Sequence, residues 1–310
     1  MKTVSGKDIS KIGIGSYGIG GRGHRDMTIT EKQDDEIYIK ALVYTLNRGI
    51  NFSEIAIGYG QGQALPLFKK ALDASNLRRE DFFLTHSLYP RDLPDMDVVQ
   101  QDTDTFYDIM KTTYADSTLV DASFIRKFGE KQSYSFLHRL LSDKKTRFVS
   151  LSNGTPDVIK VYKQEFGESF SAHEGHLSFE VRKLQDNKTF ELCTELGVTN
   201  IIWRPLRRGK TFKHNWPLLQ ELATTYQRTQ NQIVLNWICH LGYHPMVMSA
   251  DKHHIDENIS ATEFVMSDSD YERMSAFRPK ITAAVSEYEN SIVSLTDNFE
   301  QYEAREENPG

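Results

Sequence analysis

Eight short apolar runs, each followed by a stretch of helical periodicity, order this sequence from end to end. The runs are 11–15, 50–52, 82–85, 118–120, 147–151, 176–179, 200–203 and 245–248. Between them, helical spacing is read over 34–48, 65–72, 102–114, 131–142, 156–166, 186–196, 216–226, 229–240 and 252–262. In the first of these, Ile37, Ala41, Leu42, Tyr44 and Leu46 share a face and Gly49 supplies a stop. Strands separated by helices pair in parallel, because a parallel pair needs a long crossover. Eight such units without a break in composition predict a closed (β/α)8 barrel, the TIM-barrel architecture, over 1–282. The stretch 88–101 reads as a long loop after the third strand, and 283–310 reads as a polar C-terminal tail.

Composition narrows the function classes. The chain has 310 residues, enough for one large barrel, and a formal net charge of −6. That acidic balance argues against nucleic acid and anionic membrane as partners, since both favour basic surfaces. Two cysteines, Cys193 and Cys239, supply neither a disulfide framework nor a sulfur-based metal site. The start, Met1-Lys2-Thr3-Val4-Ser5-Gly6, lacks the apolar core of a signal peptide, and nowhere do eighteen apolar residues run together. The expectation is a cytoplasmic protein acting on a small molecule, with no signal that fixes an oligomeric state.

Gly13-x-Gly15-x-x-Gly18 matches a dinucleotide fingerprint literally. That fingerprint works only when its glycines open a helix whose N-terminus holds a pyrophosphate. Here Ile19-Gly20-Gly21-Arg22-Gly23-His24 follows, and so many glycines disfavour a helix. A flexible loop over one end of the first strand is expected instead.

Four further stretches carry a resemblance. Ile12-Gly13-Ile14-Gly15-Ser16-Tyr17-Gly18, Gly49-Ile50-Asn51-Phe52-Ser53-Glu54 with Tyr59-Gly60, Ser152-Asn153, and Trp203-Arg204-Pro205-Leu206 stand in the order and spacing of the aldo-keto reductase family, joined by Glu257-Asn258. The chain resembles that family from about 10 to 275. The resemblance implies a barrel that binds NADP or NAD without a Rossmann domain and exchanges a hydride with a carbonyl or alcohol substrate. It implies that Ser152 and Asn153 hold the nicotinamide carboxamide and that Trp203 stacks on the ring. His176 is expected to face the nicotinamide in place of a glutamine. Leu206, Arg208, Gly209 and Ser249 are expected along the phosphates, and Glu257 and Asn258 near the adenine. Arg204, Arg207 and Lys210 add to the basic cluster after the seventh strand. Met248 occupies the place where the family often carries a basic residue for the 2′-phosphate, and His254 stands where an arginine is common.

The family's catalytic set is a tyrosine, a lysine paired with an aspartate, and a histidine. A tyrosine hydroxyl, with a free pKa near 10, needs such neighbours to exchange a proton. In this chain Tyr59 is kept, while Glu54 takes the aspartate place, His86 the lysine place and Asp121 the histidine place. An ammonium becomes an imidazole, and an imidazole becomes a carboxylate that repels a developing alkoxide. Loss of a positioned proton-transfer partner forfeits roughly 10²–10⁴ in rate. Retuned chemistry would follow were His86 held protonated between Glu54 and Asp121.

Three readings stay open at this level. The first is an NAD(P)-dependent oxidoreductase with an altered acid–base set. The second is a catalytically silent family member that binds nucleotide or a partner. The third is non-redox chemistry at Glu54, His86, Asp121 and His176, a mixed carboxylate and imidazole set of the kind that suits divalent metals, although mutual neutralisation explains the same residues and no metal is expected.

Overall fold

Eight parallel strands close on themselves, each strand leading to the next through at least one helix. The structure, a computed structural model, describes residues 3–4, 7–25 and 27–278. In chain order the barrel reads β1 (Gly13–Gly15), α1 (Asp35–Asn47), β2 (Phe52–Ala56), α2 (Ala64–Ala74), β3 (Phe83–Leu88), α3 (Met96–Met110) and β4 (Ala115–Asp121). It continues with α4 (Ala122–Phe128), α5 (Glu130–Ser142), β5 (Thr146–Ser152), α6 (Pro156–Phe166), β6 (Phe170–His176), α7 (Lys183–Asp186), α8 (Thr189–Glu195) and β7 (Thr199–Trp203). The last part holds α9 (Lys210–Lys213), α10 (Pro217–Tyr226), α11 (Gln230–His240), β8 (His244–Val247), α12 (Lys252–Ser260) and α13 (Asp268–Ala276). β8 pairs with both β7 and β1, which closes the ring. Among the described residues no helix is long and apolar enough to cross a membrane. The expected tail 283–310 lies outside them.

Local chemistry starts the helices where the periodicity requires. Asp34 caps α1 by accepting from the Glu36 N–H. Thr229 and Gln232 form a reciprocal capping box on α11. α6 and α10 open on Pro156 and Pro217, whose missing N–H costs nothing in a first turn.

Several expected boundaries move; the second strand runs over Phe52–Ala56 rather than 50–52. The sixth strand runs over Phe170–His176 rather than 176–179, because its mixed residues form no continuous apolar run, while Leu177 and Phe179 pack into the core from the following loop. The stretch 88–101 is not one long loop. After a single turn at Pro90–Asp92, Asp95 caps α3, which starts at Met96.

Pairing fixes which side chains enter the barrel. Phe52, Phe83, Ala172, Ile201 and Met246 fill the interior. Two residues further along β2 comes Glu54, in register with Thr85 and with Gly15. Ile55 and its partner His86 take the opposite face, toward the helices.

The bottom of the barrel is held by one carboxylate. Asp116, at the start of β4, is 1% exposed and accepts from Lys7 Nζ at 2.9 Å, Arg79 Nη1 at 2.8 Å and the Leu84 N–H at 3.0 Å. Arg79 and Arg147 lie over the Tyr114 ring, 4.4 and 4.1 Å from its centroid. Lys7 belongs to a short antiparallel hairpin of Thr3–Val4 with Lys7–Asp8, so this carboxylate ties the N-terminal segment to the barrel. Asp116→Ala leaves these cations without their anion, and we expect a loss of about 3 kcal/mol in unfolding free energy, read as a lower urea midpoint. Nucleotide affinity is expected to stay unchanged, since Asp116 sits at the strand ends opposite Asp121.

Candidate active site

The C-terminal ends of the strands open into a cavity of about 840 Å³ that runs from the barrel mouth to α12. Its walls carry Glu54, Tyr59, Asp121, Ser152, Asn153, Trp203, Leu206, Arg208, Gly209, Ser249, Glu257 and Asn258. Those twelve were expected together from the sequence, and the fold brings them together. His86 and His176 do not line it.

Tyr59 stands in the single helical turn Tyr59–Gly62 after β2, and its hydroxyl donates to Glu54 Oε1 at 3.2 Å. The turn is locked against the loop after β1. The Gly60 N–H donates to the Gly23 carbonyl at 2.9 Å, and Gly60 has φ of 59°. A Cβ there would lie 2.5 Å from the Ile19 carbonyl oxygen, so a side chain would push the loop away. Tyr17 meets the Tyr59 ring edge-on at 5.2 Å, and His24 does so at 5.2 Å from the same loop. His24 Nδ1 is 3.1 Å from Asp92 Oδ2. The glycine-rich loop is therefore part of the wall, fastened by main-chain bonds.

His86 is a correction. Its ring stacks on Phe106 of α3 at 4.1 Å, is 0% exposed, and has neither nitrogen bonded among the described residues. It is held in the helix layer because β3 sends alternate residues outward, and burial pushes its pKa down to about 3. It stands neither between Glu54 and Asp121 nor protonated. Ser87, one residue on, takes the inward place beside Glu54.

His176 is a second correction. It stacks on Trp203 at 4.6 Å, behind the cavity wall, and burial first, then Arg204 and Arg207, drive its pKa well below the ordinary value. The side chain that β6 sends into the cavity is Glu174, in register with Ser152 and 2% exposed. Sequence reading missed Glu174 because the strand was placed several residues late. A two-residue alternation through Ala172, Glu174 and His176 is the signal that finds it.

Two buried carboxylates thus share the mouth. Burial pushes Glu54 up to about 7, while the hydroxyls of Ser87, Tyr59 and Tyr89 favour its charged form. Burial and the Glu54 charge drive Glu174 well above the ordinary carboxyl range. Tyr59 is raised well above its usual value by burial and then by Glu54. Asp121 has other work: its Oδ1 accepts from the Ser123 N–H at 2.8 Å, starting α4, and its Oδ2 from Asn153 Nδ2 at 2.9 Å. Among the described residues no group of three or more His, Cys, Asp or Glu side chains is placed to hold a metal ion.

The walls fit a nicotinamide nucleotide. Asp121 holds the Asn153 amide so that its buried Oδ1 has no partner, a ready acceptor for a carboxamide N–H. Gln230 Oε1 and Asn231 Oδ1, at the far end, are likewise buried without partners. His176 backs the Trp203 ring, and the guanidinium groups of Arg204 and Arg208 supply positive charge on the wall between the two ends.

A family model described as the Aldo/keto reductase family matches residues 11–279. Among curated proteins, the chain is similar to the uncharacterized oxidoreductase YtbE of Bacillus subtilis, 23% identical over 72% of this chain and 75% of that protein. It is also 22% identical to an aldo-keto reductase of Mycobacterium sp., over 87% of this chain and 90% of that one. Among solved structures, the thermostable aldo-keto reductase Tm1743 in complex with the inhibitor epalrestat superposes with a TM-score of 0.74 at 24% identity, covering 88% of this chain and 96% of that one. An aldo-keto reductase from Klebsiella pneumoniae in complex with NADPH gives 0.72 at 15% identity, covering 88% and 93%.

The position of His86 makes an expectation about acid stability. A histidine that is neutral when folded, with a pKa of about 3 against 6.5 when unfolded, leaves stability intact above 6.5 and removes it progressively as pH falls toward 3. His86→Phe keeps the stack on Phe106 and removes this proton uptake, so its acid-unfolding midpoint is expected below that of the wild type. Nucleotide affinity is expected to be unaltered; loss of affinity would return His86 to the mouth.

Proposed function

The chain belongs to the aldo/keto reductase family, and we propose that it is a nicotinamide-nucleotide-dependent oxidoreductase of carbonyl or alcohol substrates in which Tyr59 moves the proton with Glu54 as its partner. The observation that carries this reading is Tyr59 bonded to Glu54 at the mouth of a cavity whose far walls fit a dinucleotide. Ser152 and Asn153 hold the carboxamide, Trp203 lies against the ring, and Arg204 and Arg208 balance phosphate charge. A bound reduced nicotinamide supplies the hydride.

At the adenosine end the wall is Met248, Ser249, His254, Glu257 and Asn258, with Glu257 engaged by the Thr229 hydroxyl. The Lys252 ammonium lies 4.6 Å from the Tyr44 ring centroid. This end offers no lysine or arginine on the cavity wall among the described residues, which supports the nucleotide without a 2′-phosphate at least as well as NADP.

Proton movement runs through Glu54. Its neutral form gives a proton to the Tyr59 oxygen as that oxygen gives its own to the product alkoxide. Its ionised form cannot give one, and repels the developing negative charge. A second reading, nucleotide binding without turnover, is favoured by one observation: Ser87 and Asp121 stand at the inward strand ends beside Glu54 and Asn153, with no lysine or histidine there among the described residues.

Calorimetric titration with NADH and NADPH tests the binding half. We expect micromolar affinity, weakened roughly tenfold in Trp203→Ala by loss of the stacking surface; binding of neither nucleotide below millimolar concentration overturns the proposal. With an aldehyde panel, reductive kcat/KM is expected to fall as pH rises through about 7, where Glu54 loses its proton. Glu54→Gln abolishes that limb and lowers kcat on the order of 10²-fold. Tight binding with no turnover at any pH selects the second reading.

A further inference from the structure

Carbonyl reduction builds negative charge on oxygen, and enzymes that stabilise such charge aim cations or N–H dipoles at it. At this mouth two carboxylates stand beside Tyr59, while Arg204 and Arg208, which line the same cavity, lie 5.9 and 5.5 Å from the Tyr17 ring centroid. Glu54 and Glu174, 5% and 2% exposed, both line the cavity, and neither has an ion-pair partner among the described residues. Glu174 Oε1 is buried with no hydrogen-bond partner at all among them. An unpaired buried carboxylate aimed into a cavity is costly unless something neutralises it. The His24 imidazole, on the same cavity wall, is held by Asp92.

The walls around the carboxylates are aromatic. Tyr17, Tyr59, Tyr89 and Trp203 all line the cavity, and the Tyr59 ring centroid lies 5.2 Å from Tyr17 and 5.8 Å from Tyr89. Ring faces beside carboxylates recognise organic cations, above all substituted ammonium groups, by cation–π attraction and charge pairing. Of these groups only the Tyr59 hydroxyl serves an alkoxide.

We propose that the electrophile this pocket is built for is an iminium ion, a protonated carbon–nitrogen double bond, held between the aromatic walls and the Glu54–Glu174 pair. The inference rests on the nicotinamide reading above. The chemistry balances without a proton donor: hydride from a reduced nicotinamide nucleotide forms the new C–H bond, the π pair of the C=N bond moves to nitrogen, and the nitrogen becomes a neutral amine. The nucleotide is oxidised and the iminium carbon reduced. Positive charge on the substrate is consumed, so carboxylates that oppose an alkoxide stabilise the cation that enters. The absence of a lysine and a histidine from the inward strand ends then follows from the substrate.

Two measurements on the full-length protein test this. Without nucleotide, saturation-transfer NMR reads binding of pyrrolidine, a protonated cyclic amine, against its neutral analogue cyclopentanol. Wild type is expected to bind pyrrolidine, with the dissociation constant raised roughly tenfold in both Glu174→Gln and Glu54→Gln and cyclopentanol unaffected. With NADH or NADPH, kcat/KM for 1-pyrroline is expected to exceed that for cyclopentanone by roughly tenfold or more, and Tyr59→Phe is expected to cost cyclopentanone far more than 1-pyrroline. Pyrrolidine binding indifferent to both glutamine variants, or cyclopentanone reduced as well as 1-pyrroline, overturns the inference and leaves the oxidoreductase reading standing. Failure of the nucleotide titration is seen separately and overturns that reading first.

Discussion

Parallel pairing around a closed ring is the constraint on which every other feature depends. Once β8 meets β1, each residue of each strand is assigned to the interior or to the helix layer, and no side chain can change face without a slip in register. Glu54, in register with Thr85, Ser152 with Glu174, and Asp121 with Ser152 bring four strands' polar groups to one mouth. The same rule sends His86 out with Ile55, where Phe106 covers it. A difference of a single residue along β3 separates a group at the mouth from a neutral ring in the core.

The mouth concentrates acidity in side chains that are almost fully buried. Glu54 and Glu174 are each driven toward the neutral form by burial, and the Glu54 charge makes ionisation of Glu174 harder still. Tyr59 sits among them with its own proton held tightly. A site of this kind holds protons readily and tolerates added negative charge poorly. Its natural complement is a positive charge or a group that leaves as a neutral molecule.

The cavity beyond the mouth keeps the family pattern in part. Asp121 starts α4 with one oxygen and orients Asn153 with the other, which keeps an amide acceptor facing the cavity. The loop after β1 closes one wall by bonding the Tyr59 turn at Gly60. The departures from the family pattern lie both at the mouth, at Glu54 and Asp121, and at the far end, at Met248 and His254.

The repeating alternation of apolar runs and amphipathic segments determined the barrel from sequence alone, because strand and helix periods are local and eight of them in order leave few ways to close. The family resemblance, rather than that alternation, placed Tyr59, Glu54, Asp121 and the Ser152–Asn153 pair, all of which line the cavity. His86, His176 and Glu174 were not legible. A buried strand of mixed residues such as Phe170–His176 carries no apolar run to mark it, and the facing of a side chain depends on which residue of the neighbouring strand it meets. Pairing partners distant in the chain are chosen only when the ring closes, so tertiary structure alone decided which acids share the mouth and which histidines stay behind the wall.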